Sequence, residues 1–96
     1  MRWAWDEEKA RGNIAKHKVS FERARLVFAD PHQISIPDNC ETDERWQTIG
    51  MVNGVLILLV VHTVEEHDDK ETIRIISARK ATPSERKRYE ASLAGT

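Results

Sequence analysis

Residues 72–80 run without a break into the helix start Thr82-Pro-Ser-Glu85, and this junction constrains the fold of the chain more than any other stretch. Ile73, Ile75 and Ile76 are β-branched and interleaved with Arg74, Ser77, Arg79 and Lys80, the pattern of a strand that buries apolar surface while carrying cations outward. Thr82 can cap the first helical turn and Pro83 suits the first helical position. Glu85, three residues after Thr82, closes a capping box. A strand therefore feeds a basic helix, and the rest of the chain has to cover that strand.

Earlier elements follow from the same logic. Trp3 and Trp5 alternate with Ala4 and Asp6 as a short first strand with both indoles in the core. Asp6 is a candidate N-cap for a helix to about Lys18, with Ala10 and Ile14 as its inner stripe and Lys16, His17 and Lys18 opposing the negative helix end. Ser20 caps a second helix carrying Phe21, Ala24 and Phe28, which Asp30-Pro31 ends. Residues 32–36 alternate as a short edge strand, and residues 37–43 form a polar connection. Residues 45–52 and 55–63 are strands joined at Asn53-Gly54, the strongest short hairpin signal. The apolar run 56–61 lacks alternation and so is covered on at least part of both faces. The acidic stretch 65–71 connects it to the Ile-rich strand as a second hairpin. This order, β-α-α-β-β-β-β-α, predicts an α+β fold: a small antiparallel sheet with helices packed on one face and the other face partly open.

Ninety-six residues allow one domain, residues 1–96. No apolar run approaches the roughly 20 residues of a membrane span, and the N-terminus lacks an apolar signal core. Cys40 is the only cysteine and reads as a loop thiol, which suits a reducing cytoplasm. The net charge of −1 conceals segments of opposite sign. Residues 31–71 carry two Lys/Arg against nine Asp/Glu, whereas residues 72–96 carry six against two. A basic C-terminal end on a near-neutral protein suits local phosphate binding, or equally a solvated helix face.

Trp5-Asp6, Lys9, Asn13, Lys16-His17, Val19-Ser20-Phe21-Glu22, Ala24, Val27-Phe28, Asp30-Pro31, Glu44-Arg45, Ile49-Gly50, residues 74–81, Glu85-Arg86 and Tyr89 together resemble the BrnT family, toxins of bacterial type II toxin–antitoxin pairs. No single piece is specific; their order across nearly the whole chain carries the resemblance. It implies a compact fold similar to RelE toxins, a ribonuclease activity that blocks translation, and neutralisation by a BrnA-like antitoxin through which alone the pair contacts DNA. The chain departs from the family's usual pattern at Lys18, where a Gly is usual, and at His62, where a Tyr is frequent.

Metal-free RNA cleavage needs a base for the 2′-hydroxyl proton, cations for the phosphorane and an acid for the leaving 5′-oxygen. Arg45, Arg74 and Arg79 are the sheet cations suited to phosphate, with Arg45 and Arg79 on family motifs. Their structural alternative is a strand cation paired with Glu44 or Glu71. His62 is a candidate base or acid, or else a satisfied strand-end histidine. Glu65 or Glu66 can serve as base, although Asp68 and Asp69 make their segment read as a solvated acidic turn. Regular pleating would place Arg74 and Lys80 on one side and Arg79 on the other; a bulge would exchange them. Lys80, Arg86, Lys87 and Arg88 are candidates for holding RNA phosphates. Tyr89 either stacks on a base or packs against Leu93, four residues on. His62, His67, Asp68 and Asp69 lack the spacing of a tetrahedral metal set, so no metal or cofactor is expected.

Three classes of function compete on these residues. The first is a ribonuclease toxin acting on RNA, and the second a catalytically degenerate homologue that only binds its antitoxin. The third, a freestanding DNA-binding protein, lacks a helix-turn-helix signature. An apolar patch left bare without the antitoxin would favour self-association into a homo-oligomer.

Overall fold

The computed structural model describes residues 1–38 and 44–94; Cys40 and the rest of the 39–43 connection lie outside the described residues. Its elements are β1 (Arg2–Ala4), α1 (Glu7–His17), α2 (Phe21–Ala24) continuing as a 3₁₀ segment (Arg25–Ala29), β2 (Ile34–Pro37), β3 (Trp46–Val52), β4 (Leu56–His67), β5 (Lys70–Lys80) and α3 (Pro83–Ala94). The five strands form one sheet in the order β1-β5-β4-β3-β2. The expected class and element order hold, with two differences in arrangement.

First, β1 joins β5 in parallel, so the sheet is mixed rather than antiparallel. The connection from β1 to its neighbour spans the whole fold, and no local signal in the chain specifies that pairing. Second, the helices divide between the two faces. Alternation along β3 and β4 sends Val52, Leu58 and Val60 toward α1 and α2, where they pack with Phe21, Ala24, Val27, Ile73, Ile75 and Ala78. The opposite face is apolar too: Ile49, Ile57 and Leu59 are buried there under Tyr89 and Leu93 of α3. Two apolar faces on the central strands need two covers, and α3 supplies the second.

Caps and turns define the element ends. The Asp6 carboxylate accepts from the Glu8 and Lys9 amides at 2.8 and 3.1 Å. Ser20 Oγ accepts from the Arg23 amide at 3.1 Å. Lys18 itself takes the left-handed C-cap of α1, at φ 61°. Ile14, expected on the inner stripe, is 46% exposed. Its place is taken by Asn13, whose Nδ2 donates to the carbonyls of Val19 and Ala78, each at 2.8 Å, and whose Oδ1 accepts from the Ala78 amide at 3.1 Å. One side-chain amide thus pairs with the outer edge of β5 where β1 no longer reaches. At Gly50 a Cβ would lie 2.8 Å from Val27 Cγ1, so only glycine lets the 3₁₀ segment close on β3.

The acidic stretch is more regular than its composition suggests. β4 continues through Glu65 and Glu66 to His67, and Asp68 and Asp69, both at positive φ, make a two-residue turn into β5. Short carboxylates tolerate the left-handed conformation that such a turn requires.

Candidate active site

β4 and β5 pair without interruption except at one point: Val61 lies opposite Ser77 and His62 opposite Ile75, leaving Ile76 as an extra residue. This bulge decides which cations share a face. Residues directly opposite one another point the same way, so Arg74 goes with Thr63, Ser77 with Val61, and Arg79 with Leu59. Arg74, Ser77 and Arg79 therefore stand on the α3 face, while Lys80 falls on the other.

Tyr89 and Leu93 of α3 cover Ile49, Ile57 and Leu59, while farther along the same face Gln47, Val61, Thr63 and Ser77 are half-buried and Arg74 is exposed. The row next to the covered ones carries Gln47, Val61 and Ser77. Before β3, the Asp38 amide donates to the Arg45 carbonyl at 2.9 Å, continuing the β2–β3 ladder by one residue. Glu65 occupies the row after Thr63 and Arg74. Its carboxylate lies 3.5 Å from Arg74 Nε and 3.7 Å from His67 Nε2, all three side chains being partly exposed. Thr63 Oγ1, opposite Arg74, is buried and makes no hydrogen bond.

Arg79 belongs to the same face but is engaged differently. Its Nη1 and Nη2 donate to the two Glu85 oxygens at 2.7 and 2.9 Å, and Glu85 Oε1 also accepts from the Thr82 amide at 2.8 Å. The expected capping box is present, and its glutamate, rather than Glu44 or Glu71, is the partner of Arg79. The guanidinium fork holds the Glu85 carboxyl down at about 2, against the raising effect of burial and with help from the Thr82 amide. Glu85 in turn raises the pKa of Arg79. Arg74 and Arg79 are five residues apart on one strand, about 15 Å, so they reach different phosphates of an RNA chain.

His62 is not part of this group. Register places it with Ile75 and Trp46 on the α1/α2 face, and it is 3% exposed. Its Nε2 lies 2.7 Å from Thr48 Oγ1, which is itself 2.7 Å from Ser35 Oγ, and the Phe28 ring packs edge-on at 4.8 Å. Burial lowers its pKa, only partly offset by the Thr63 backbone, whereas Nδ1 completes no hydrogen bond. As folded, His62 is buried on the α1/α2 face, opposite to the face that carries Arg74 and Glu65. The alternation that misplaced it gives parity along a strand but not which parity faces the helices.

Of the two readings of Tyr89, the structure shows the packed one, with Leu93 in the same cluster. Its ring is 2% exposed and its hydroxyl donates to Asp30 Oδ2, which accepts the Met51 amide as well, at 2.8 Å. Burial, then the Asp30 hydrogen bond and charge, push the phenol up to about 12. Asp30 feels burial raising its own pKa, outweighed by bonds from Tyr89 and the Met51 and His32 amides, which leave it lowered. No base can stack on this ring. Lys80, Arg86, Lys87 and Arg88 are exposed, the last three on the first half of α3. Among the described residues, no group of three or more His, Cys, Asp or Glu side chains is placed to hold a metal ion.

No curated relative matches the chain. Among solved structures it is similar to the ribonuclease toxin BrnT of Brucella abortus, crystallised at 1.1 Å resolution, with 27% identity and a TM-score of 0.63; the match covers 85% of this chain and 97% of that one. The family model describing the ribonuclease toxin BrnT of type II toxin–antitoxin systems matches residues 5–85. The chain belongs to the BrnT family of ribonuclease toxins.

Proposed function

We propose that this protein is a metal-independent endoribonuclease that cuts RNA in the cytoplasm, so arresting translation, and that a BrnA-like antitoxin neutralises it. The observation that supports the reading is the pairing of Arg74 with Glu65, 3.5 Å apart, on the sheet face that also carries Arg79 beside α3. Glu65 takes the 2′-hydroxyl proton, and the freed 2′-oxygen attacks phosphorus. Arg45 and Arg74 hold the equatorial oxygens of the phosphorane, where charge accumulates. The bond from phosphorus to the 5′-oxygen breaks, that oxygen takes a proton from solvent, and the upstream fragment ends in a 2′,3′-cyclic phosphate. Arg79 steadies a flanking phosphate through the Nε edge that the Glu85 fork leaves free. Arg74, Lys80, Arg86, Lys87 and Arg88 extend the RNA-binding surface, so affinity falls with salt.

The competing reading, a degenerate toxin that only binds its antitoxin, is favoured by one observation: Arg79 already has a two-point carboxylate partner in Glu85. Incubating purified protein with a defined RNA in EDTA, beside Arg79→Ala, separates the two. Cleavage by the wild type with cyclic or 3′-phosphate ends, weakened in the variant, supports the ribonuclease. RNA left intact both with and without ribosomes supports the degenerate toxin.

A further inference from the structure

The sheet has four free margins among the described residues, and three are blunted. β1 is three residues long, and β2 is four residues long and ends in Pro37. The outer edge of β5 at Ala78 is capped by the Asn13 amide. The fourth margin is bare. β4 pairs with β3 only from Leu56 to His62 and then runs on to His67 with β5 as its sole neighbour.

The turn fixes which groups that margin presents. Across a two-residue turn with both residues at positive φ, the flanking pair His67 and Lys70 exchange both backbone hydrogen bonds. Alternation then makes Glu65 with Thr72 and Thr63 with Arg74 the next bonded pairs. Val64 and Glu66 consequently direct N–H and C=O away from β5, and no described residue bonds to them. Side chains here offer a mixed surface. Val64 is 41% exposed and Trp46, on the same face, 37% exposed, while Glu65, Glu66, Asp68, Asp69 and Glu71 make the hairpin acidic.

We propose that residues 63–67 of β4 are where the antitoxin docks, by adding an extended segment as a sixth strand. The occupant is defined by the edge. It pairs its backbone with Val64 and Glu66, lays an apolar side chain on Trp46 and Val64, and brings Lys or Arg to the acidic hairpin. A strand in that position runs beside Glu65, Thr63 and Arg45 and closes the open face to RNA, so one contact gives both affinity and neutralisation. The proposal rests on the toxin reading for its partner, but it is tested by binding alone.

The test uses the cognate antitoxin and two variants. In Val64→Pro the lost N–H has no partner in the free protein, and proline is tolerated at an edge, so the fold survives. Val64→Thr keeps the N–H. Antitoxin affinity falls about tenfold or more in Val64→Pro and stays near wild type in Val64→Thr. Hydrogen exchange on the wild-type complex covers the case in which the proline variant does not fold: the Val64 and Glu66 amides gain protection when antitoxin binds. Unchanged exchange there, with protection instead around the 450 Å³ cavity between Leu26, Met51 and Leu93, overturns the proposal. So does wild-type affinity in a folded Val64→Pro protein. RNA cleavage measured on the same samples keeps the two readings apart, since a protein that cleaves nothing can still bind through this edge.

Discussion

Replacing Asn13 with Ala should be among the most destabilising single changes in the protein, although it deletes only one polar side chain. The amide makes three hydrogen bonds, to the Val19 carbonyl and to both backbone groups of Ala78, and Asn13 is 7% exposed. Truncation leaves two carbonyls and one N–H buried without partners, each costing about 1–3 kcal/mol if water cannot reach it. Partial entry of water brings the expected total to about 3 kcal/mol, a large part of the roughly 5–15 kcal/mol that holds a domain of this size together. At about 4–8 °C per kcal/mol, the melting temperature should fall by roughly 12–24 °C. Urea unfolding of the wild type, Asn13→Ala and Asn13→Asp measures it. Asp keeps the acceptor for the Ala78 amide but turns a carboxylate toward two carbonyls, so it should be no better than Ala. A loss below about 1 kcal/mol in Asn13→Ala would refute the idea that this side chain substitutes for a strand at the edge of β5.

Four further outcomes follow from particular groups. Lys18→Gly should stabilise the protein by about 0.5–1 kcal/mol in chemical denaturation, because Lys18 holds a left-handed cap that glycine adopts without strain. Glu85 has its carboxyl depressed from 4.5 to about 2, so its contribution is complete above pH 4.5 and is lost as pH falls toward 2. Because Arg79 is 37% exposed, that contribution is discounted to on the order of 2 kcal/mol, and Glu85→Gln should flatten the acid limb of the stability curve. His62, held neutral by burial, should titrate by NMR below its ordinary 6.5, and its burial destabilises the fold as pH drops through that value. Tyr89→Phe leaves Asp30 without its phenol donor and should cost about 1–3 kcal/mol, and in the wild type the tyrosine absorbance should shift only near pH 12.

Much of the local structure was legible because its causes are local. Thr82 and Glu85 give the capping box, Asn53 and Gly54 the turn, and Asp30-Pro31 the end of the second helix. Tyr89 and Leu93, four apart, fall on one helix face and both pack inward. What escaped depends on partners distant in the chain. Nothing near Arg2 indicates that β1 will lie parallel to β5. The extra residue Ile76 puts Arg74 and Arg79 on one face where a regular strand would put them on opposite faces, and His62 and Glu65 are separated by the same alternation that made both candidates. Asn13 was visible only as part of the family pattern; a polar residue at helical spacing from Ala10, in place of an apolar one, was the available signal for a buried bond. The polarity of residues 65–67 concealed that a strand at a free edge needs no apolar side chains to be a strand.

In the proposed mechanism RNA is cut on the face of the sheet that carries Arg74 and Glu65 and not from the His62 side. The most direct measurement is the single-turnover cleavage rate, in EDTA, of Glu65→Gln, Arg74→Ala and His62→Gln, each shown to be folded. Glu65→Gln and Arg74→Ala should each fall by about 100-fold or more, the usual scale for losing a base or a phosphorane cation, while His62→Gln stays close to wild type. A folded His62→Gln protein that no longer cleaves, beside Glu65 and Arg74 variants that do, would contradict the assignment of the site.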